Sequence, residues 1–288
     1  MNKFRSYQQG KWLRIGQSFF EHRLGVIGLI GVIVVFLIAI FAPFIATPVS
    51  GYGEVKDILN SPSLEHIFGT DALGLDLFSQ VIWGTRISLQ VGFLVVLIAA
   101  LVGIPIGLFS GYYGGWVSTL GMGLTNVFLT LPLLPLMIIA AAVLGSNINN
   151  VALIIGLFSW PQIARITRAA AAEVTGMQYI EAAKSLGIRA NRIIFHHVLV
   201  NASAPILVNL TIVVATAIIS ESALSFLGLG DPLTWSWGKI LHNAHRSGAF
   251  ISSWWFSLFP SLAITFFVVS FNFLGMGMRE ALNPRLRE

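Results

Sequence analysis

Six apolar runs, each long enough to cross about 30 Å of hydrocarbon as a helix of ~20 residues, leave this chain little choice of solvent. They lie at Leu24–Ile45, Ser88–Ser110, Val117–Leu144, Val151–Ala169, Pro205–Leu229 and Trp254–Met276. Only 10% of the 288 residues are charged, whereas soluble domains carry roughly 25%. Backbone groups immersed in lipid must satisfy one another, so runs of this length predict helices. The expected fold is all-α and polytopic, with about six transmembrane helices. The fourth run is the most interrupted, because Trp160, Pro161 and Arg165 fall within it, and a five-helix count stays open. The first run is too long for the apolar core of a secretory signal.

Lys and Arg set the orientation. Lys3, Arg5, Lys11, Arg14 and Arg23 precede the first run. Arg165, Arg168, Lys184, Arg189 and Arg192 lie around the fourth-to-fifth connection, and Arg279, Arg285 and Arg287 close the chain. The loop after the first run carries Lys56 against Glu54, Asp57, Glu65, Asp71 and Asp76. With six passages all three basic regions fall on one side, which predicts cytoplasmic termini in a cell (inner or plasma) membrane. The expected organisation is a cytoplasmic amphipathic segment over 1–23, a first transmembrane helix over 24–46 and an extracytoplasmic loop over 47–86. A core of 87–276 and a cytoplasmic tail of 277–288 follow. Within Phe4–Phe20, Trp12, Leu13, Phe19 and Phe20 stand among basic residues, the pattern of a helix lying along the headgroups; a solvated leader is the plainer alternative.

Several chemistries are excluded. Cysteine is absent, which removes disulfides, thiolate metal sites and cysteine nucleophiles. There is no GxxxxGK[ST] loop to cradle ATP phosphates, no His-Glu-x-x-His and no Gly-x-Ser-x-Gly. The net charge of +5 is spread as membrane-flanking clusters, so no nucleic-acid partner is implied. The sequence describes a conduit, with no catalytic residue and no cofactor of its own.

One long polar stretch stands out, residues 170–201. From Gln178 to Leu186 the residues favour a helix, and Gly187 follows where a left-handed C′ position suits glycine. Ala182 and Ala183 predict a slim side that another surface can approach. A second helix over Ala190–Leu199 would turn Ile193, Ile194, His197 and Val198 one way, and Arg189, Arg192 and His196 the other. A joining loop needs only a few residues, and this one uses about thirty. Such an arrangement suits docking of a soluble partner.

These residues carry a family resemblance. "EAAKSLG" resembles the EAA signature of ABC-importer permeases. "WPQIARITRAAAAEV", "YIEAAKSLGIRANRIIFHHVLVNASAPILV", "SESALSFLGLG", "SWGKIL", "REALNPRLRE" and "HIFGTDALGLDLFSQVIWGTRISL" look like the permeases of peptide and nickel importers, specifically the "C"-type partner of the pair. The resemblance covers roughly residues 20 to 288. It implies a type I importer permease that pairs with a homologous permease as a heterodimer. It further implies two cytoplasmic subunits that bind ATP and Mg, and an extracytoplasmic binding protein that delivers the solute. Tyr179, Glu181, Ala182, Ala183, Gly187, Arg189 and Arg192 become the candidate coupling residues, those of the signature proper being Glu181, Ala182, Ala183 and Gly187. The chain departs from the pattern at Val200, where the signature usually has proline after leucine, and at Gly74-Leu75-Asp76. It departs again at Ser118 and Asn126, where acids are frequent, which leaves Asn126 a path residue or a structural one.

Isolated polar residues add little. His242 and His245 share a helix face at workable metal spacing, yet two histidines make an incomplete site. Glu221 lies in an apolar run, where a charge costs about 2.5–3.5 kcal/mol on insertion scales. It therefore lines a solute path or caps backbone amides. Pro105, Pro132, Pro135 and Pro161 interrupt the runs, and "WWFSLF" predicts an aromatic belt. Short peptides are the expected solute, with oligosaccharide or nickel as alternatives. A secondary transporter and a membrane scaffold are the alternatives from other classes.

Overall fold

The structure, a computed structural model, describes residues 16–282 except 50 and 52. Most of the expected headgroup helix, and Arg285 and Arg287 of the tail, lie outside the described residues. The principal helices are α1 (Arg23–Ile45), α2 (Leu77–Tyr113), α3 (Gly115–Thr130), α4 (Leu133–Leu144), α5 (Ile148–Thr175), α6 (Gln178–Ser185), α7 (Ala190–Phe226), α8 (Trp237–Arg246) and α9 (Trp254–Leu282). A single turn of helix, Ala249–Ser252, joins the last two. Side chains start several of them. Asp76 Oδ2 accepts from Ser79 N at 2.8 Å at the head of α2, and Ser236 Oγ accepts from Lys239 N at 3.3 Å at the head of α8; both satisfy first-turn amides that have no intrahelical partner.

The bundle has two ends. At one, α2 ends beside α6, where Lys184 Nζ lies 5.1 Å over the Tyr112 ring. At the other, α2 begins beside α8, and Trp237 Nε1 donates to Val81 O at 3.0 Å. Each long helix runs between these ends: α1 leaves Gly277 and arrives near Ser79, while α5 starts at Asp231, whose Oδ2 accepts from Ile148 N at 3.2 Å, and ends at α6. With α3 and α4 as one bent passage, the described chain traverses the bundle six times.

By length and apolar character, however, four described helices qualify as spans: α1, α2, α7 and α9. A fifth qualifies if α3 and α4 are one. The five-helix count left open by the sequence agrees with the upper number, and two local causes separate it from six. The third run breaks at Leu131-Pro132, because proline disfavours helical geometry in the residue before it, and the chain bends by 87°. The fourth run is continuous helix, 28 residues long, but Gln162, Arg165 and Arg168 dilute its apolar character.

Close packing holds α5 against α2. Gly103, Gly107 and Gly111 recur every four residues along the face of α2 that meets it. A Cβ on Gly103 would sit 2.6 Å from Trp160 O, and one on Gly111 2.6 Å from Ala171 Cβ; Gly107 meets Ala164 O still more closely. Small residues at this spacing let two backbones approach within lipid, where packing rather than water expulsion drives association. Helices α1 and α9 use the same device, with a Cβ on Gly25 falling 2.6 Å from Gly277 Cα.

Two boundaries differ from those expected. Helix α2 begins at Leu77, well before Ser88, because Asp76 caps an amphipathic turn that an apolar-run search does not register. The helix beginning at Ala190 does not stop at Leu199. It passes through a π-helical turn at Ile194–Val198 and continues to Phe226, since Val200 keeps the amide that proline would have removed.

The α8 end is closed by a polar knot. Asp71, fully buried, accepts from Leu73 N (2.8 Å), Leu75 N (2.9 Å) and Gln80 Nε2 (2.7 Å). Burial pushes its carboxyl up, against the pull of these donors. Trp255 Nε1 donates to Thr70 O at 3.2 Å, and Trp235 Nε1 to Val49 O at 3.2 Å. The expected aromatic belt is thereby corrected: Trp254 is exposed, but Trp255 and Phe256 are buried, because the loop offers a carbonyl to one and the core takes the other.

Candidate functional site

Helix α6 is two turns long, and its end is defined by hydrogen bonds rather than by sequence composition. Ile188 N donates to Ala183 O at 3.2 Å and Gly187 N to Lys184 O at 3.0 Å, a paired closure that requires a left-handed residue at its corner. Gly187 supplies it, with φ of 72°. A Cβ there would meet nothing within 4 Å, so glycine is needed for its torsion and not for space.

One face of α6 is anchored. Ile180 is fully buried among Leu108, Ala171, Val174, Ile193, Ile194, Val198, Ala202 and Ile206 of α2, α5 and α7, and Ala183 packs against the same cluster. The other face presents Tyr179, Glu181, Ala182, Ser185 and Leu186. The structure thus separates the alanine pair, since a helix turns 100° per residue: Ala182 faces out and Ala183 faces the protein's own core. Leu186 is 80% exposed at the tip of the turn, an apolar side chain that the sequence reading passed over. Its signal was a large apolar residue at the exposed end of a short polar helix. Tyr179 Oη accepts from Asn201 Nδ2 at 3.2 Å, and partial burial pushes its phenol up. At the start of α7, Ile193, Ile194 and Val198 are buried while Arg189, Arg192 and His196 are exposed and His197 is half-buried. Arg189, Arg192, Glu181 and Lys184 are each exposed at this end of the molecule.

The remaining candidates lie apart from this surface. Asn126 on α3 accepts from Arg165 Nη2 at 3.2 Å, and Ser118 accepts from Arg168 Nε at 3.1 Å. Two arginines of α5 thus meet neutral partners on α3. Glu221 is fully buried near the α8 end of α7. Its carboxylate accepts from Ser225 Oγ at 2.6 Å and Ser222 Oγ at 3.4 Å, with Ser236 close by. Its partners are serine hydroxyls, not backbone amides. His242 Nδ1 bonds Phe226 O at 2.7 Å, while the His245 ring lies 5.6 Å from that of Phe226 and 6.2 Å from that of Phe250. Among the described residues no three His, Cys, Asp or Glu gather in a ligand set.

Against known proteins, residues 103–288 match the family described as the binding-protein-dependent transport system inner membrane component. Residues 10–61 match the N-terminal transmembrane domain of oligopeptide transport permease C. A dipeptide transport system permease protein of Alkalihalophilus pseudofirmus is 38% identical over 281 residues, covering 96% of this chain and 90% of the relative. A glutathione transport system permease protein of Escherichia coli is 37% identical over 278 residues, covering 96% and 91%. A chain of the methionine ABC transporter MetNI, solved in inward-facing conformations, superposes with a TM-score of 0.58 at 18% identity, covering 71% of this chain and 96% of that one; that likeness concerns the fold.

Proposed function

Because the chain belongs to the family of binding-protein-dependent transport system inner membrane components, we propose that its α6 surface transmits ATP hydrolysis in separate subunits to the uptake of short peptides. The chain is the multi-pass inner-membrane permease component and not the ATPase. In this reading it pairs with a homologous permease to enclose the path. Two cytoplasmic subunits hold ATP and Mg, and this chain binds no cofactor itself. An extracytoplasmic binding protein delivers the solute at the α8 end.

The observation that carries the reading is the construction of α6. A helix anchored by Ile180, stopped by Gly187 and carrying Leu186 outward is a rigid projection with an apolar tip. Its neighbours Glu181, Arg189 and Arg192 provide both charge signs at the rim. That composition fits a groove on a soluble protein. The orientation follows from charge: the α6 end also receives the start of α1 and the close of α9, so both termini are cytoplasmic with it. Helix α5, about 42 Å long at 1.5 Å per residue, crosses alongside the others.

Short peptides are favoured over oligosaccharides and nickel by the relatives, whose names specify a dipeptide and glutathione, itself a peptide. His242 and His245, spent on Phe226 and its surroundings, lend nickel no support. The test is reconstitution with the homologous permease, the ATPases and the binding protein in liposomes. ATP-dependent accumulation of a labelled dipeptide, exceeding that of maltotriose or nickel, is the expected result. Accumulation driven by an ion gradient without ATP would make the chain a secondary transporter, and no accumulation of any solute would leave the scaffold reading in its place.

A further inference from the structure

At the α6 end, helices α5, α7 and α9 diverge around a cavity of about 770 Å³. Ile166, Val174, Met177, Pro205, Val208 and Leu282 give it apolar walls, and Glu173, Asn201, Asn209 and Arg279 contribute polar groups. Its volume lies within the 300–1,000 Å³ typical of small-molecule sites.

Asn209 distinguishes this cavity from a packing gap. It lies in the apolar part of α7, roughly 25 Å of helix from Phe226, and is 8% exposed. Among the described residues its Oδ1 has no hydrogen-bond partner. Neighbouring polar side chains in these helices behave differently. Thr211 and Thr216 donate to carbonyls of their own helix, as do Ser270 and Asn272 on α9 and Asn201 at the head of α7. Asn209 makes no such bond, although leaving a buried acceptor without a partner is costly. The terminal torsion of an asparagine is broad, so either end of the amide can be turned to the cavity.

We propose that this cavity is the inner section of the solute path and that Asn209 is the residue in it that reads the peptide group. The inference rests on the permease reading above and specifies which of its residues touches the cargo. An amide side chain offers one acceptor and a donor pair, the complement of a peptide N–H and C=O. Arg279, exposed at the cavity, shares the lining with the Glu173 carboxylate, so the charge at this end is of both signs. The apolar walls, with Met177 among them, impose no polar pattern on the cargo's side chains. The site therefore recognises a backbone and tolerates its substituents.

The chain's lack of cysteine allows a direct test. The assembled importer carrying Asn209→Cys is placed in inside-out vesicles and exposed to a charged, impermeant methanethiosulfonate reagent, with trialanine or maltotriose as protecting probe. Labelling from the cytoplasmic side, slowed by trialanine and not by maltotriose, is expected. In parallel, Asn209→Leu should lower trialanine uptake about tenfold, the equivalent of one buried hydrogen bond, and Asn209→Gln should restore part of it. If the unsubstituted complex takes up trialanine but the Asn209→Cys variant is unlabelled, or labelled equally with and without peptide, the assignment fails and the cavity is filled by partner protein or lipid. Protection by maltotriose alone would overturn it in favour of a sugar. If the unsubstituted complex moves no peptide, the failure is that of the permease's proposed solute instead.

Discussion

Gly187 is the residue whose role is most sharply defined, because its surroundings are empty. Replacing it by valine adds no clash, so the loss is torsional, about 1–2 kcal/mol for an L residue in the left-handed region. The Gly187→Val variant should insert normally yet lose ATPase subunits on purification, and Gly187→Asn, which tolerates that region, should retain more of them. Retention of stoichiometric ATPase and full uptake by Gly187→Val would remove α6 from the coupling role. Ala182→Trp and Leu186→Asp act on the outward face and should release the ATPases as well. Ala183→Trp, directed at the core, should lower the yield of the chain itself. Glu221 makes a separate prediction. Its serine partners are satisfied by glutamine but abandoned by alanine, which leaves buried hydroxyls at about 1–3 kcal/mol each. Glu221→Gln should therefore express and transport near the unsubstituted level, while Glu221→Ala should fall in detergent-extracted yield; full yield of Glu221→Gln with uptake lost would point to a path residue. The turn at Gly187 was legible because its chemistry is local. The direction of Ala183 and the exposure of Leu186 were not, since they depend on which side of α6 meets Ile193 and Leu108, a long-range choice.

At the scale of elements, the α2–α5 seam is the most demanding contact. A side chain at Gly107 has no direction in which to move, because the opposing atom is a backbone carbonyl rather than a flexible tip. Gly107→Leu should force the helices apart at a cost of about 1–3 kcal/mol, visible as a lower aggregation temperature of the purified complex. An unchanged temperature would mean that the seam yields elsewhere. The spacing of Gly103, Gly107 and Gly111 stands openly in the sequence, but only the structure says which helix it receives. The apolar runs located the lipid-facing part of every long helix, since hydropathy is set by lipid, but missed the polar starts of α2 and α7 by more than ten residues. What they missed was set by single groups: the capping carboxylate of Asp76, the bend before Pro132 and the uninterrupted amide of Val200. The arginines of α5 were visible as basic residues, yet their neutral partners Ser118 and Asn126 became apparent only when α3 lay beside α5.

For the whole molecule, topology is the prediction with the fewest assumptions. Ser185, Ser63 and Ser247 are all exposed, the first at the α6 end and the other two at the α8 end. With an impermeant maleimide on intact cells, Ser63→Cys and Ser247→Cys should label and Ser185→Cys should not. Labelling of Ser185→Cys from outside would invert the molecule and the proposed function with it. The orientation is argued from Lys and Arg alone and awaits this labelling; the closure of the α8 end was not legible, because it joins residues far apart in the chain. That closure has a consequence in time. The carbonyls of Val49, Thr70 and Val81 wait for Trp235, Trp255 and Trp237, which follow them by 186, 185 and 156 residues. At about 5–20 residues per second, the first half of the chain is made tens of seconds before its fastenings exist. A nascent chain thus lacks the fastenings of its α8 end until nearly the last helix arrives, and a ribosome stalled before Trp255 leaves the carbonyl of Thr70 without its indole partner.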